Sequence, residues 1–412
     1  MKRELGTVAL DRDEADAYER ALTMLSPDEG QPRAISRATV DALIQEAILT
    51  SLDIYEKQAG VDLDTRIGKS IQTLRDKLNA PIVEWQIWQS VDRLKVPPEG
   101  FTLGKVLFCD STHQSAQQAK AAITETLKPH PTPLPPDFFK SYWPDEFSTS
   151  TLCCISVLAG DSTAAGQIAD VELQTTMSVL NFFASLVSNL EFMPAVCISG
   201  IFSSYKTHKL KFRKAPQTQI GWSGTVHRLA APFDISEFNR HLQIKAALEK
   251  INALLCTNEE SELRDRLLTA VKWAGKGAAT ESTEDSYLFY AIALETLLLG
   301  SNRYEQLSYK LRLRAARLLG LNTQGRVSTR DSVNRLYILR SKMVHSGKTQ
   351  IPRSDLSLLR IITQSCVIHL LSADMFKDIQ TDDALEQWFE CELMSGRDET
   401  KTERPVTAAQ RP

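Results

Sequence analysis

The sequence predicts an α+β protein in which a helical N-terminal segment (residues 1–80) and an α+β middle domain (81–240) precede an all-α bundle (241–390) and a disordered tail (391–412). Three observations support this prediction. Apolar residues recur every three or four positions at both ends of the chain, as in amphipathic helices. Between them lie short β-branched and aromatic runs that are bounded by proline-rich stretches, as in strands. The last residues are charged and polar without any apolar period.

The N-terminal segment is predicted to contain three helices. Their apolar periods cover residues 14–24, 37–57 and 62–78. Residues 26–30 contain a proline and a glycine, which predict a turn after the first helix.

The middle domain is predicted to combine short strands with one long helix. The strands are expected at residues 82–91, 105–109, 152–158 and 195–201, and the helix at residues 164–190. The buried stripe of this helix is expected to consist of Val171, Leu173, Met177, Leu180, Phe183 and Leu186.

The middle domain also contains two pieces of a serine-esterase site. Residues 160–162 read Gly-Asp-Ser after a predicted strand, and Asp110 and His113 form an Asp-x-x-His pair. In such hydrolases the Gly-Asp-Ser block comes first, so the order found here argues against that activity. We interpret Asp161 as a turn or cap residue of the long helix.

The C-terminal region is predicted to be a bundle of amphipathic helices with short connections. Four helical runs are expected, at residues 286–299, at 304–319, from 332 onward through Arg340, and at 355–376. Gly300, Gly320 and Gly347 are predicted to end the first three of them. Residues 275–277, Gly-Lys-Gly, lack the spacing of a phosphate-binding loop, and we interpret them as a turn between helices.

The third helix of the bundle carries an arginine and a histidine, Arg340 and His345, five residues apart. A guanidinium can neutralise a phosphate that approaches a doubly charged transition state, and an imidazole can transfer the proton. On a straight helix, two residues at this spacing stand about 140° and about 7.5 Å apart, so one helix cannot aim both at one atom. The site therefore requires a second element or a second copy of the chain.

The rest of the same helix is expected to bury one face. Its apolar stripe is predicted to consist of Leu336, Leu339, Met343 and Val344. Arg340 and His345 are expected to lie off that stripe, with His345 in the last turn, where the helix dipole favours the protonated ring. The alternative is that Arg340 is a solvated surface charge and that His345 only satisfies carbonyls at the helix end.

An ordered set of features resembles the HEPN superfamily, and within it the ApeA-like branch. These features are Ala293-Leu294-Glu295 in the first helix, a second helix dotted with Lys and Arg that ends at Gly320, and the segment from Leu336 to Gly347. The resemblance covers roughly residues 260–377. Ser346 departs from the pattern, since relatives often have Gly directly after the His.

The resemblance implies a ribonuclease whose active site forms where two bundles pair, in a homodimer. Carried over to this chain, it makes Arg340 and His345 catalytic and Ser341 part of the site, and it gives Glu295 a structural or orienting role. The expected reaction is attack by a ribose 2'-hydroxyl, without metal or cofactor, which leaves a 2',3'-cyclic phosphate and a 5'-hydroxyl.

The same resemblance implies a prokaryotic anti-phage or toxin-type effector, whose neutralising or activating protein partner the sequence does not identify. A different class of function stays open, a non-catalytic HEPN module for dimerisation or nucleotide sensing. Intact Arg340, Ser341 and His345 favour the ribonuclease.

Overall charge gives no sign of a general nucleic-acid binder, since the formal net charge is -3 and the pI is about 6.2. Any contact with RNA must therefore be local. The candidates for it are Lys310, Arg312, Arg314 and Arg317 on the second bundle helix, and Lys206, Lys209, Lys211, Arg213 and Lys214 on a predicted strand. An edge strand protected by solvated lysines explains the second group equally well.

Other functional classes receive no support from the sequence. No run approaches the ~18 uncharged apolar residues of a membrane span, and the N-terminus lacks the apolar core of a signal peptide, so a cytoplasmic protein without membrane contact is expected. The 7 cysteines are scattered without Cys-x-x-Cys spacing, which indicates reduced thiols and neither a disulfide framework nor a zinc site.

Overall fold

The computed structural model describes residues 82–127, 143, 147, 150–187, 196–198, 206–213, 219–226 and 232–394, with gaps at 258, 260, 281, 300–305, 347–349, 374–375 and 377–378. Before residue 82 it describes only isolated positions, all of them helical. The three predicted N-terminal helices thus lie largely outside the described residues, and the predicted disordered tail does so from residue 395 onward.

The described strands all lie before residue 235 with two helices among them, and the described part after residue 241 is helical. The strands are β1 Val83–Asp92, β2 Leu94–Lys95, β3 Phe101–Leu103, β4 Val106–Cys109, β5 Thr151–Ala159, β6 Cys197–Ile198, β7 Lys206–Arg213, β8 Gln219–Val226 and β9 Phe233–Asp234. The helices are α1 Gln114–Leu127, α2 Ser162–Val187, α3 Leu242–Cys256, α4 Glu262–Ala279, α5 Thr283–Leu299, α6 Leu307–Leu319, α7 Thr323–Ser346, α8 Arg353–Ser372 and α9 Asp382–Met394. The described residues therefore form an α+β protein with a helical C-terminal region, as predicted.

Five strands form one sheet in the order β3-β4-β5-β1-β6, and β7 and β8 form a separate two-stranded sheet. The β3–β4 hairpin turns at Gly104, whose φ of 61° favours glycine. Its amide donates to Oδ1 of Asn252 on α3 at 2.7 Å, which ties the hairpin to the helical region. Strands β1, β4 and β5 correspond to the strands predicted at residues 82–91, 105–109 and 152–158. These strands could be predicted because their β-branched and aromatic runs are not interrupted by turn residues.

The chain divides into two compact units, residues 1–88 with 154–173 and residues 89–153 with 174–412. In the first unit, the Trp85 indole donates to the Ala159 carbonyl at 3.1 Å. The second unit contains α3 to α9 and every described candidate site residue.

Helix α2 begins close to its predicted start and buries most of the predicted stripe. Leu173, Met177, Leu180 and Phe183 are buried, but Val171 is 61% exposed. Including Val171 was wrong, because it precedes Leu173 by two residues and so stands about 160° from it around the helix.

The four predicted bundle helices correspond to α5, α6, α7 and α8. Helix α5 packs against α4 and α8, and α6 packs against α7. Gly320 follows α6 as predicted, and its amide donates to the Ala316 carbonyl at 2.9 Å. The predicted stops at Gly300 and Gly347 lie outside the described residues. Helix α7 begins at Thr323, nine residues before its predicted start. The periodicity criterion missed the first turns because they are mainly polar and carry no apolar period.

The Gly-Lys-Gly sequence at residues 275–277 is not a turn between helices, since it lies inside α4. A Cβ added to Gly275 would stand 1.8 Å from the Ser178 carbonyl oxygen, so α4 and α2 pack with their backbones in close approach there. Gly275 is therefore needed for the close packing of α4 against α2. Turn propensity alone does not predict this role. Among the described residues, each helix is too short or too polar to span a lipid bilayer.

Candidate functional site

Arg340 projects from α7 onto Glu295 of α5. The guanidinium Nη2 donates to Glu295 Oε2 at 3.3 Å, and Nε lies 3.1 Å from Oε1. The second approach lacks hydrogen-bond geometry, so Nε and Oε1 are joined by charge alone. The two side chains are 25% and 22% exposed. Both contacts lie on the Nε and Nη2 side of the guanidinium.

A small pocket surrounds this ion pair, and its other walls are mainly apolar. They consist of Ala291, Leu294, Leu311, Val333, Leu336, Tyr337 and Leu359. Burial raises the pKa of Glu295, and the Arg340 charge opposes that rise without cancelling it. Attraction between the two groups is stronger here than it would be in water, because the walls exclude solvent.

The predictions for Arg340 need two corrections. Arg340 does not lie off the apolar stripe, since it lines the pocket with Leu336 and stands only about 40° from it around the helix. The alternative of a solvated surface charge is also wrong, because the guanidinium is mostly buried and paired with Glu295. Val344, predicted to be in the core, is 50% exposed.

His345 lies in the last turn of α7, as predicted, and is exposed. Helix α7 is continuous from Arg340 through His345, so the two side chains keep the angular separation of about 140° that an α-helix imposes. Ser341 is half-buried on the same helix. Within one chain, the described structure joins Arg340 to Glu295 and does not join it to His345.

The basic residues of α6 differ in their environments. Lys310 and Arg312 are half-buried, and Arg312 donates to Oδ1 of Asn334 at 3.1 Å and stacks on the Tyr309 ring at 5.3 Å. Arg314 is only 5% exposed, so proposing it as an RNA contact was wrong. The structure gives it internal partners instead.

Helix α9 supplies a carboxylate partner, and α5 supplies a backbone carbonyl. Arg314 Nη2 lies 2.7 Å from Glu386 Oε1, and its Nη1 donates to the Leu298 carbonyl at 2.6 Å. Arg266 of α4 lies 3.1 Å from Asp382 and donates to the Thr296 carbonyl at 3.2 Å, although its contact with Asp382 lacks hydrogen-bond geometry. Both arginines thus hold carbonyls of the last turn of α5, just after Glu295.

Sequence reasoning missed this arrangement. The available signal was the four-residue spacing of Asp382 and Glu386, which puts two carboxylates on one face of a helix. Arg317 follows the same logic, since it is buried and lies 3.0 Å from Glu392. Its place in the basic stretch proposed for RNA contact is therefore also wrong.

The second group of basic candidates lies on β7. Lys206, Lys209, Lys211 and Arg213 belong to this strand, which pairs with β8 along its whole length. Lys214 lies outside the described residues.

The two pieces of the esterase-like motif are local caps. Asp110 Oδ1 accepts hydrogen bonds from the Thr112 hydroxyl at 2.6 Å and from the Thr112 and His113 amides at 2.7 and 3.1 Å. The Thr112 hydroxyl is the main reason that the pKa of Asp110 is lowered. Asp161 accepts from the Ala164 amide at 2.8 Å, so its predicted role as a helix cap is confirmed.

Comparison of the chain with protein-family models, with curated proteins and with solved structures found no match. Any function must therefore be inferred from the residues of this chain.

Proposed function

We propose that this chain is a HEPN-type, metal-independent endoribonuclease in which Arg340 and His345 act on the RNA phosphate. The observation that carries the proposal is the Arg340–Glu295 pair, with Arg340 Nε 3.1 Å from the carboxylate in a mostly apolar pocket. A carboxylate that holds one side of a guanidinium fixes its plane and directs the remaining N–H groups outward. Ser341 and His345 follow in the order that the HEPN resemblance requires.

In the proposed reaction, the ribose 2'-oxygen attacks the adjacent phosphorus and the bond to the 5'-oxygen of the next nucleotide breaks. His345 either takes the 2'-hydroxyl proton or gives a proton to the leaving 5'-oxygen. Arg340 stabilises the charge that develops on the phosphorane oxygens. DNA is not a substrate, because it lacks the attacking hydroxyl.

In the proposed enzyme, the active site forms in a dimer. Arg340 and His345 of one chain stand on different sides of the helix, whereas a two-fold axis would bring the His345 of a second copy to the first Arg340. Exposed apolar residues on α7 support such a contact, since Ile338 is 46% and Val344 50% exposed. As an effector of this kind, the chain would take part in anti-phage defence or act as a toxin, under control of its N-terminal part or of another protein.

A non-catalytic HEPN module is the second candidate. One observation favours it: the Arg340 charge is already compensated by Glu295, while His345 is exposed elsewhere on the helix. In that case the pair would only stabilise the bundle.

Cleavage of RNA by the purified full-length protein in excess EDTA separates the two candidates. We expect wild-type protein to cleave, and Arg340→Ala and His345→Ala each to lower the rate by about 10²-fold or more, since each removes a group that acts in the transition state. Lys342→Ala, at an exposed position of the same helix, is the matched control and should cleave like wild type. Equal decay of RNA with wild type and both variants would refute the ribonuclease. The ends should be a 2',3'-cyclic phosphate and a 5'-hydroxyl.

A further inference from the structure

The segment that contains β7 and β8 has an unusual charge composition. Residues 192–233 contain no Asp or Glu, although the chain has 51 of them in 412 residues, so that about five would be expected by chance. The same segment contains six cations, Lys206, Lys209, Lys211, Arg213, Lys214 and Arg228. The segment is therefore strongly basic within a chain of net charge -3.

The pairing of β7 with β8 sorts these residues onto two faces. The strands are antiparallel and in register from Lys206 opposite Val226 to Arg213 opposite Gln219. Side chains alternate between faces along a strand, and directly paired residues share a face. One face carries Thr207, Lys209, Lys211, Arg213, Gln219, Gly221, Ser223 and Thr225. The other carries Lys206, His208, Leu210, Phe212, Ile220, Trp222, Gly224 and Val226.

The first of these, the cationic face, holds only polar residues and glycine, and its three basic residues belong to one strand. Lys209, Lys211 and Arg213 occupy alternate positions of β7, which places them about 6.8 Å apart along the strand. A nucleic-acid strand carries one negative charge per nucleotide, so a row of basic residues can neutralise several phosphates of the same strand. Among the described residues, β7 and β8 pair only with each other, and the face is thus part of a narrow ribbon.

A row of basic residues along one strand suits a linear polyanion better than a membrane surface. Lipid headgroups diffuse laterally and can adapt to any arrangement of cations, so a linear arrangement offers them no advantage. The phosphates of one nucleic-acid strand are covalently linked in a row, so basic residues in a row can neutralise several of them at once.

We propose that the cationic face of the β7–β8 ribbon binds the sugar-phosphate backbone of a single nucleic-acid strand, without regard to base or sugar. Its biological role rests on the proposed function, because it would hold the RNA that Arg340 and His345 cleave. The ribbon would bind phosphates, which RNA and DNA share, whereas the cleavage reaction requires the 2'-hydroxyl of RNA. Single-stranded DNA should therefore compete for binding although it is not cleaved.

Binding can be measured without cleavage, so this inference and the proposed function can fail separately. The probe is a fluorescent single-stranded RNA of about 20 nucleotides, long enough for one site. It is titrated with full-length His345→Ala protein in EDTA, and anisotropy is recorded between about 50 and 200 mM salt. The test variant adds Lys209→Ala, Lys211→Ala and Arg213→Ala. The matched control adds Lys69→Ala, Lys245→Ala and Arg353→Ala, which removes the same charges at exposed positions elsewhere.

We expect the test variant to bind at least tenfold more weakly than its parent, and the slope of log K against log salt to fall in magnitude by about 2, since each neutralised phosphate of a single strand contributes about 0.7. The control should keep the parent slope. A charge-preserving variant, Lys209→Arg, Lys211→Arg and Arg213→Lys, should keep it as well, which shows that the loss arises from charge and not from misfolding.

Three results would overturn the inference. The first is a parent-like slope in the test variant, and the second is a loss of slope in the charge-preserving variant. The third is a failure of single-stranded DNA of equal length to compete with the RNA. If the test variant instead lost binding to phosphatidylserine vesicles while RNA binding was unchanged, the ribbon would be a membrane-binding surface and the proposal wrong. Normal binding with no RNA cleavage by wild type would refute the ribonuclease alone.

Discussion

At the scale of single residues, two opposing effects act on Glu295. Burial in the pocket disfavours its charged form, whereas Arg340 favours that form, and burial has the larger effect because the pKa is raised. Burying the charged form of Glu295 therefore costs free energy, and its attraction to Arg340 offsets part of that cost. A carboxyl group in such a place is better suited to orient an arginine than to stabilise the fold.

This balance predicts how stability should depend on pH when Arg340 is replaced. In Arg340→Met, the Glu295 pKa should rise further above its ordinary value near 4.5, because the compensating charge is lost. The folded state then binds a proton more tightly than the unfolded state, so stability is lost as pH rises through the raised pKa. We expect a loss of about 1–3 kcal/mol against wild type at pH 8 and a clearly smaller loss at pH 5, measured by urea unfolding.

The control for that experiment is the double variant Arg340→Met with Glu295→Gln. It has no carboxylate to ionise, and its stability relative to wild type should be less dependent on pH in this range. If Arg340→Met alone lost the same stability at pH 5 and pH 8, an ionised Glu295 would not be the cause.

At the scale of whole elements, α9 determines how the end of α5 is held. Its carboxylates compensate Arg266 and Arg314, and these arginines donate to the Thr296 and Leu298 carbonyls, which a helix end otherwise leaves unsatisfied. Arg314 also stacks on the Phe389 ring at 5.1 Å. Two of the basic residues of α6, Arg314 and Arg317, thus join this helix to its neighbours and are not available to a ligand.

Loss of the Glu386 charge should therefore destabilise the protein. Glu386→Gln leaves the Arg314 guanidinium buried without its carboxylate, and we expect a loss of about 3 kcal/mol in the free energy of unfolding. Glu390→Gln, at an exposed position of the same helix, is the matched control and should change stability by less than about 0.5 kcal/mol. Equal stability of the two variants would contradict the arrangement described here.

At the scale of the whole molecule, we propose that the site combines residues from two copies of the chain. A continuous α7 cannot direct Arg340 and His345 of one chain to one phosphate, and a second copy would supply the missing residue. An isologous interface would form two such sites at once.

Mixing two inactive variants tests this assembly. If each site takes one residue from each protomer, heterodimers of Arg340→Ala and His345→Ala contain one intact site. Equal amounts mixed under conditions of subunit exchange should then recover up to about a quarter of the wild-type activity, since half of the dimers are mixed and each has one site of two. Sedimentation velocity should show a dimer. Absence of any recovery by mixed dimers would mean that each site is built within one protomer.

Local patterns in the sequence were sufficient to predict the class of fold and the positions of about half of the described elements. Strands β1, β4 and β5 and helices α5 to α8 follow from local alternation and periodicity, because side chains in a strand or helix repeat at intervals set by the backbone. The sequence also determined the spacing of Arg340 and His345, and with it the need for a second element or copy. Tertiary structure decided what each charge contacts. Arg340 meets a carboxylate 45 residues away, and Arg314 is buried against Glu386, because a buried charge requires a partner and any element of the fold can supply it.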